Sequence, residues 1–212
     1  ETARYGGNTS TLQIRCGDHM LIFDAGTGLR YLGNELAKHG PVDTDIFLTH
    51  THFDHICGVP FFVPLFIPAN KIRIWAGHLG PAKLTIKQVL EDMMITPLFP
   101  VPPEIFGADV SYNDFSAGET LTPRPGVTLR TTELNHPDNA TGYRIDFAGK
   151  SICYLTDTQH VIDQPDQKIL ELVEGADLII YDSTYTDKEF PARSDWGHSP
   201  WQEGVRLANA AN

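Results

Sequence analysis

Apolar residues in this chain fall in short runs separated by polar and glycine-rich breaks. Leu12 to Cys16 and Met20 to Phe23 flank Gly17-Asp18, a pattern that predicts a β-hairpin. Asp24-Ala25-Gly26-Thr27-Gly28 then leads into a predicted helix running through Lys38. Ile46 to Thr49 and Ile72 to Trp75 are short apolar strands, and Thr85 to Met94 has helical periodicity. The following Thr96-Pro97-Leu98-Phe99-Pro100-Val101-Pro102-Pro103 cannot continue that helix, because proline lacks an amide hydrogen and clashes with the preceding turn. A loop or lid around Leu98 to Phe106 is expected there, with Phe61 to Phe66 supplying further apolar surface to wall a pocket. From Val127 the pattern becomes strand-rich: Val127 to Leu134, Tyr143 to Phe147 and Ser151 to Leu155, the last two joined by a turn at Gly149-Lys150. These predict a second sheet. A helix from Gln167 to Glu174, a strand from Asp177 to Tyr181 and a final helix from Trp201 to Ala211 complete a mixed α/β pattern without repeats, read as one domain over 1–212.

Size agrees with that reading, since 212 residues at 41% hydrophobic can bury one sizeable core. The most apolar stretch, Phe61 to Pro68, is too short to span a bilayer and is broken by proline, so no membrane partner is expected. Cys16, Cys57 and Cys153 are odd in number, widely spaced and form no CxxC, which points to a reducing, cytoplasmic setting. A net charge of −11 argues against strong nonspecific nucleic-acid binding, which needs clustered Lys and Arg, and leaves a small anionic molecule as the expected substrate. The chain opens at Glu1-Thr2-Ala3-Arg4-Tyr5 without Met and stops at Asn212 inside a helical pattern, so a longer gene product is expected.

The chemistry is concentrated in His50-Thr51-His52-Phe53-Asp54-His55, directly after the apolar Ile46-Phe47-Leu48. Three imidazoles and a carboxylate in six residues exceed what a solvated turn needs. At a strand end, His50 and His52 can face one point while Asp54 and His55 face another, so one loop can serve two metal ions. Cys57 is read as a small buried neighbour rather than a ligand.

HTHFDH resembles the HxHxDH signature of the metallo-β-lactamase fold hydrolases. The likeness continues through Asn135-His136-Pro137, Leu155-Thr156-Asp157-Thr158, Tyr181-Asp182-Ser183 and Gly197-His198-Ser199. The ordered series is far more specific than any one member. It implies an αββα four-layer sandwich in which His50, His52 and His136 hold one divalent ion, Asp54 and His55 a second, and Asp157 bridges them. Zinc suits such a site, and manganese or iron would also fit. A water between the ions would ionise near neutral pH and attack a phosphorus or a carbonyl carbon, with Asp54 also counted among the catalytic groups. The family pattern places one more histidine on the second ion near the C-terminus; here it lies beyond Asn212, or His198 replaces it, and the first is preferred. Homodimers are frequent among such hydrolases, although no interface is legible here.

Asp182 and His198 occupy the places of a dyad found in the tRNA 3′-processing endonucleases and related phosphodiesterases. There an imidazole oriented by a carboxylate can protonate a departing alkoxide. The plainer alternative makes Asp182 a strand-end residue and His198 the polar start of the last helix. Asp24 is implied to support the metal loop from behind, and Gly6-Gly7-Asn8-Thr9-Ser10 is read as a tight turn over the site. His160, three residues beyond Asp157, is a lesser candidate near the ions; His19 and His39 are expected to be solvated. The reading that follows is a dinuclear phosphodiesterase for a small phosphodiester, cyclic ones included. Its alternatives are a lactonase or β-lactamase type of hydrolase and, in another class, a noncatalytic metal- or ligand-binding protein.

Overall fold

Gly17-Asp18 does close a hairpin: β1 (Leu12–Cys16) pairs antiparallel with β2 (His19–Phe23), Cys16 opposite His19. Gly17 has φ +60°, the left-handed first position that a two-residue turn of this twist demands. The computed structural model describes residue 4 and residues 6–211; the opening Glu1-Thr2-Ala3 and Tyr5, and Asn212, on which the expectation of trimmed ends rests, lie outside the described residues. The chain divides into two compact units, Glu1–Phe115 and Ser116–Asn212.

In the first unit a mixed sheet has the order β1-β2-β3-β4-β5, with β3 at Asp43–Leu48, β4 at Lys71–Ala76 and β5 at Asp109–Asp114. From β2 onward the neighbours are parallel, which requires crossover connections. Helix α1 (Gly28–Leu36) supplies one, turning Leu29, Gly33 and Leu36 into a core that contains Ile22, Ile46, Leu48, Ile72 and Ile74. Helix α3 (Ile86–Met93) starts at a capping box between Thr85 and Gln88 and buries Ile86 and Leu90 on the same core. Phe23, Phe47 and Trp75 stack in register across β2, β3 and β4, with ring centroids 5.3 and 5.5 Å apart. Helix α2 (Phe53–Ile56), a single turn, lies inside the histidine motif.

The second unit carries the sheet order β10-β9-β8-β7-β6. Its strands are β6 (Thr120–Arg124), β7 (Val127–Leu134), β8 (Ala140–Phe147), β9 (Lys150–Leu155) and β10 (Leu178–Tyr181), antiparallel except for β9 beside β10. The β8–β9 turn falls on Ala148-Gly149, both at positive φ, one residue earlier than the sequence pattern indicates. Helix α4 (Gln167–Val173) is capped by Asp166, whose side chain accepts from Ile169 N at 3.1 Å, and Arg144 closes the far end by donating to the Leu172 and Glu174 carbonyls. Helix α5 (Trp201–Ala210) adds Leu207 to a core of Leu134, Cys153, Leu155, Ile169 and Leu172. Burial pushes the Cys153 thiol up to about 11, which leaves it an inert packing residue. All three cysteines are free thiols, and Cys57 is half-buried rather than fully enclosed.

The sequence pattern did not indicate β5 or β6. Asp109–Asp114 has only two apolar side chains, and Thr120–Arg124 contains Pro123; both are edge strands, where solvent can satisfy the unpaired side and the apolar alternation weakens. Among the described residues no helix is long and apolar enough to cross a membrane. The chemistry-bearing residues share one structural address in each unit. His50 follows the C-terminal end of β3, His136 that of β7, Asp157 that of β9 and Asp182 that of β10.

Candidate metal centre

In the first unit the HTHFDH loop gathers its imidazoles tightly. The His50 ring centroid is 4.4 Å from that of His52 and 4.2 Å from that of His55. His50 and His55 are buried, whereas the Asp54 side chain is 57% exposed and its Oδ2 lies 3.4 Å from His55 Nε2. Fully buried Asp24 organises the loop from behind. Its carboxylate accepts from Thr49 N at 2.8 Å and from the Thr49 hydroxyl at 2.9 Å, and its Oδ2 sits 3.0 Å from His55 Nδ1. His55 thus lies between two carboxylates, Asp24 on its Nδ1 side and Asp54 on its Nε2 side. The Thr49 hydroxyl spends its one hydrogen on Asp24 and therefore accepts from His50 Nδ1, 3.1 Å away. That puts the His50 hydrogen on Nδ1 and leaves its Nε2 lone pair for a metal.

Residues at the chain's start clip this loop in place. Thr9 Oγ1 donates to the Asp54 carbonyl at 2.6 Å and accepts from Thr27 N at 2.9 Å, while Thr9 N donates to Thr27 Oγ1. His78, which the sequence did not single out, is buried behind the loop with Nε2 3.0 Å from Thr51 Oγ1. Burial, with His52 nearby, pushes its pKa down to about 4. Because the folded chain resists protonating His78 while the unfolded chain takes the proton near 6.5, this contribution is complete above pH 6.5 and is lost as pH falls toward 4. The loss amounts to about 3 kcal/mol at most. Urea unfolding of metal-free protein between pH 7 and 4 is expected to show it, and His78→Gln to flatten the curve in that window; identical curves would refute the assignment.

In the second unit the same logic fixes His136. Its Nδ1 lies 2.7 Å from the Gly197 carbonyl, which can only accept, so Nε2 keeps its lone pair and stands 3.8 Å from Asp157 Oδ2. Gly197 has φ +78°, and a Cβ there would come within 2.6 Å of His136 Nδ1, so only glycine allows this approach. Asp157 is held by Thr156 Oγ1 at 2.7 Å and has φ +52°. Donor atoms of Asp157, Asp182 and His198 all lie within 4.8 Å of one another. Asp182 and His198 form the expected pair, with His198 Nδ1 2.9 Å from Asp182 Oδ2. Asp182 is buried and also accepts from Thr158 N, Thr184 N and Thr184 Oγ1, so its geometry is over-determined. Ser199 ties the Asp157 loop to the His198 loop: its hydroxyl donates to the Thr158 carbonyl and accepts from His160 N at 3.0 Å. His160 itself stacks on Phe190, centroids 4.2 Å apart, and joins none of the donor groups formed among the described residues of this unit.

Imidazole Nε2 atoms with fixed lone pairs, beside carboxylates, are the donor set that borderline divalent ions take, so the residues present fit such ions. The supports that sequence reasoning missed are Thr49, Thr158 and the Gly197 carbonyl. A backbone carbonyl leaves no trace in sequence, but the glycine that makes it accessible does.

Ribonuclease Z of Haloarcula marismortui is 23% identical to this chain over 258 residues, covering 96% of the chain and 77% of the relative. Ribonuclease Z of Brevibacillus brevis is 26% identical, with 90% and 71% covered. Among solved structures, the short form of human tRNase Z superposes with a TM-score of 0.68 at 20% identity, covering 96% of this chain and 82% of the other. A diphosphatase of the PhnP family gives a TM-score of 0.67 at 19% identity, with 96% and 68% covered. These likenesses show the metallo-β-lactamase fold.

One expectation is overturned by the relatives. A small anionic molecule as partner, with no strong nucleic-acid binding, conflicts with matched proteins named Ribonuclease Z and tRNase Z. The charge of −11 misled because it sums the whole surface, whereas cleavage of one phosphodiester needs positive charge only where the phosphate sits. The Beta-lactamase superfamily domain profile matches residues 19–212, so the chain belongs to that family and is a metal-dependent hydrolase of the metallo-β-lactamase fold.

Proposed function

We propose that this protein is a phosphodiesterase that cleaves RNA, using two divalent ions, zinc foremost. The observation that carries this reading is the Asp182–His198 pair, whose Nδ1 to Oδ2 separation is 2.9 Å. Opening a lactone or lactam does not call for such a pair, but expelling a ribose alkoxide does. In the proposed arrangement His50, His52 and His136 serve one ion, Asp54 and His55 the other, and Asp157 both. When bound, the ions would lower the pKa of a water to near 7 and neutralise charge on the phosphate. Thr49, itself held by Asp24, and the Gly197 carbonyl hold His50 and His136 in the tautomer that presents Nε2. Asp182, acceptor only, keeps the His198 hydrogen on Nδ1 and stabilises the ring when it is protonated. Nε2–H is then the atom that gives a proton to the leaving oxygen.

His198→Ala tests this directly. With an RNA substrate, kcat should fall by about 10²–10⁴. With bis(p-nitrophenyl) phosphate, whose leaving group needs no proton, kcat should change by less than about tenfold, and metal content should stay unchanged. Equal losses on both substrates would remove the acid role, and unchanged RNA cleavage would remove the dyad from the mechanism. Chelation should abolish both activities, and zinc or manganese should restore them. Retained activity after complete metal removal would overturn the reading.

A further inference from the structure

We infer that a cavity in the Ser116–Asn212 unit is a nucleobase pocket, taking from the RNA strand a base that carries an exocyclic amino group; this rests on the reading of RNA as substrate. The cavity holds about 400 Å³, within the roughly 300–1,000 Å³ of ligand pockets, and is lined by His160, Val161, Ile162, Phe190, Glu203 and Arg206. Its wall is flat and apolar where the His160 ring lies on Phe190, 4.2 Å between centroids at 28°. Val161 and Ile162 are about half exposed there, at 49% and 51%, and extend the apolar lining to the mouth of the cavity.

Electrostatics selects the occupant. Arg206 spends three of its five N–H donors on carboxylates, Nε on Glu203 Oε2 at 2.7 Å and its two terminal nitrogens on Asp187 at 3.0 and 2.9 Å. Asp163, Asp187 and Glu203 therefore outnumber the one guanidinium in the lining, and a phosphate is repelled. Glu203 is only 7% exposed, and among the described residues no hydrogen bond forms to its Oε1. A carboxylate oxygen with no hydrogen bond, beside a stacking wall, suits a neutral, planar ligand with an N–H donor. Single-stranded RNA supplies that when a base is splayed out, stacked and read along its edge. Cytosine donates through its amino group, as in carboxylate readout of that base in DNA, whereas uracil has no amino group and its N3–H is flanked by two carbonyl oxygens that the acid repels. The cavity belongs to the same loops as the dyad, because Ser199, next to His198, accepts from His160 N.

The test is titration of metal-free protein with cytidine and with uridine, followed by calorimetry or ligand-observed NMR. Cytidine should bind about tenfold or more tightly than uridine, the worth of one hydrogen bond to a charged acceptor. Ile162→Trp, and independently Val161→Trp, should abolish cytidine binding while leaving the melting temperature unchanged, since both positions are exposed. Equal binding of the two nucleosides, tighter binding of cytidine monophosphate, or cytidine binding undiminished in both tryptophan variants would overturn the pocket. These arms need no turnover, so their failure alongside intact RNA cleavage would leave the catalytic reading standing. Cytidine binding by a protein that, metal-loaded, cleaves no RNA would instead overturn the assignment of the base to RNA.

Discussion

Asp157→Asn is expected to keep the fold and lose the activity. Asp157 sits at φ +52°, a left-handed conformation that asparagine tolerates nearly as well as aspartate and alanine does not. The amide oxygen can still accept the Thr156 hydroxyl now 2.7 Å away. What disappears is one negative charge and one ligand atom at the place proposed to serve both ions. Losing a group that merely supports a metal ligand costs about 10–100-fold, so losing a shared ligand should lower kcat/KM on RNA by more than about 100-fold. Metal content, measured on the purified protein, should fall from two ions toward one or none, with the melting temperature of the metal-free form shifted by no more than a few degrees. An Asn variant with full metal content and near-native turnover would remove Asp157 from the site.

Asp24→Ala should have the largest effect on stability. It leaves Thr49 N and the Thr49 hydroxyl without their acceptor, and His55 Nδ1 without the carboxylate 3.0 Å away, at a position with no solvent access. Removing one partner of such a buried set costs about 3–5 kcal/mol, and alanine adds about 1–2 kcal/mol of strain at φ +59°. Urea midpoints of metal-free protein would show it. Asp24→Asn separates structure from function: it fits the backbone and keeps one acceptor, but its amide nitrogen presents a donor where the imidazole or hydroxyl also donates. Stability should fall by about 1–3 kcal/mol while metal affinity drops about 10–100-fold. An Asn variant with native metal affinity would show that Asp24 is a folding residue only.

The strands that deliver chemistry were legible because their apolar runs give way within two residues to His, Asp or Asn. The ends of β3, β7, β9 and β10 lie within a residue or two of the sequence expectation. The edge strands β5 and β6 were not, since an edge relaxes the alternation on which such reading depends. At the site, the pairing of Asp182 with His198 was implied by the family resemblance, but the role of Thr49 was not. Its significance comes from which way one hydroxyl hydrogen points, and that is decided by Asp24, 25 residues earlier. His160 illustrates the opposite error. Proximity in sequence to Asp157 drew it toward the metals, while its ring is turned onto Phe190.

Asp24 and Asp157 share a left-handed backbone, and that bears on how this lineage can drift. At both places the conformation confines change without backbone strain to asparagine or glycine, and asparagine is a single base change from aspartate. The backbone thus leaves open a short evolutionary path to a chain that folds, keeps its loops and has lost its ions. A paralogue carrying Asn at position 157 would be a folded pseudoenzyme rather than a degraded one, ready to be recruited for binding alone.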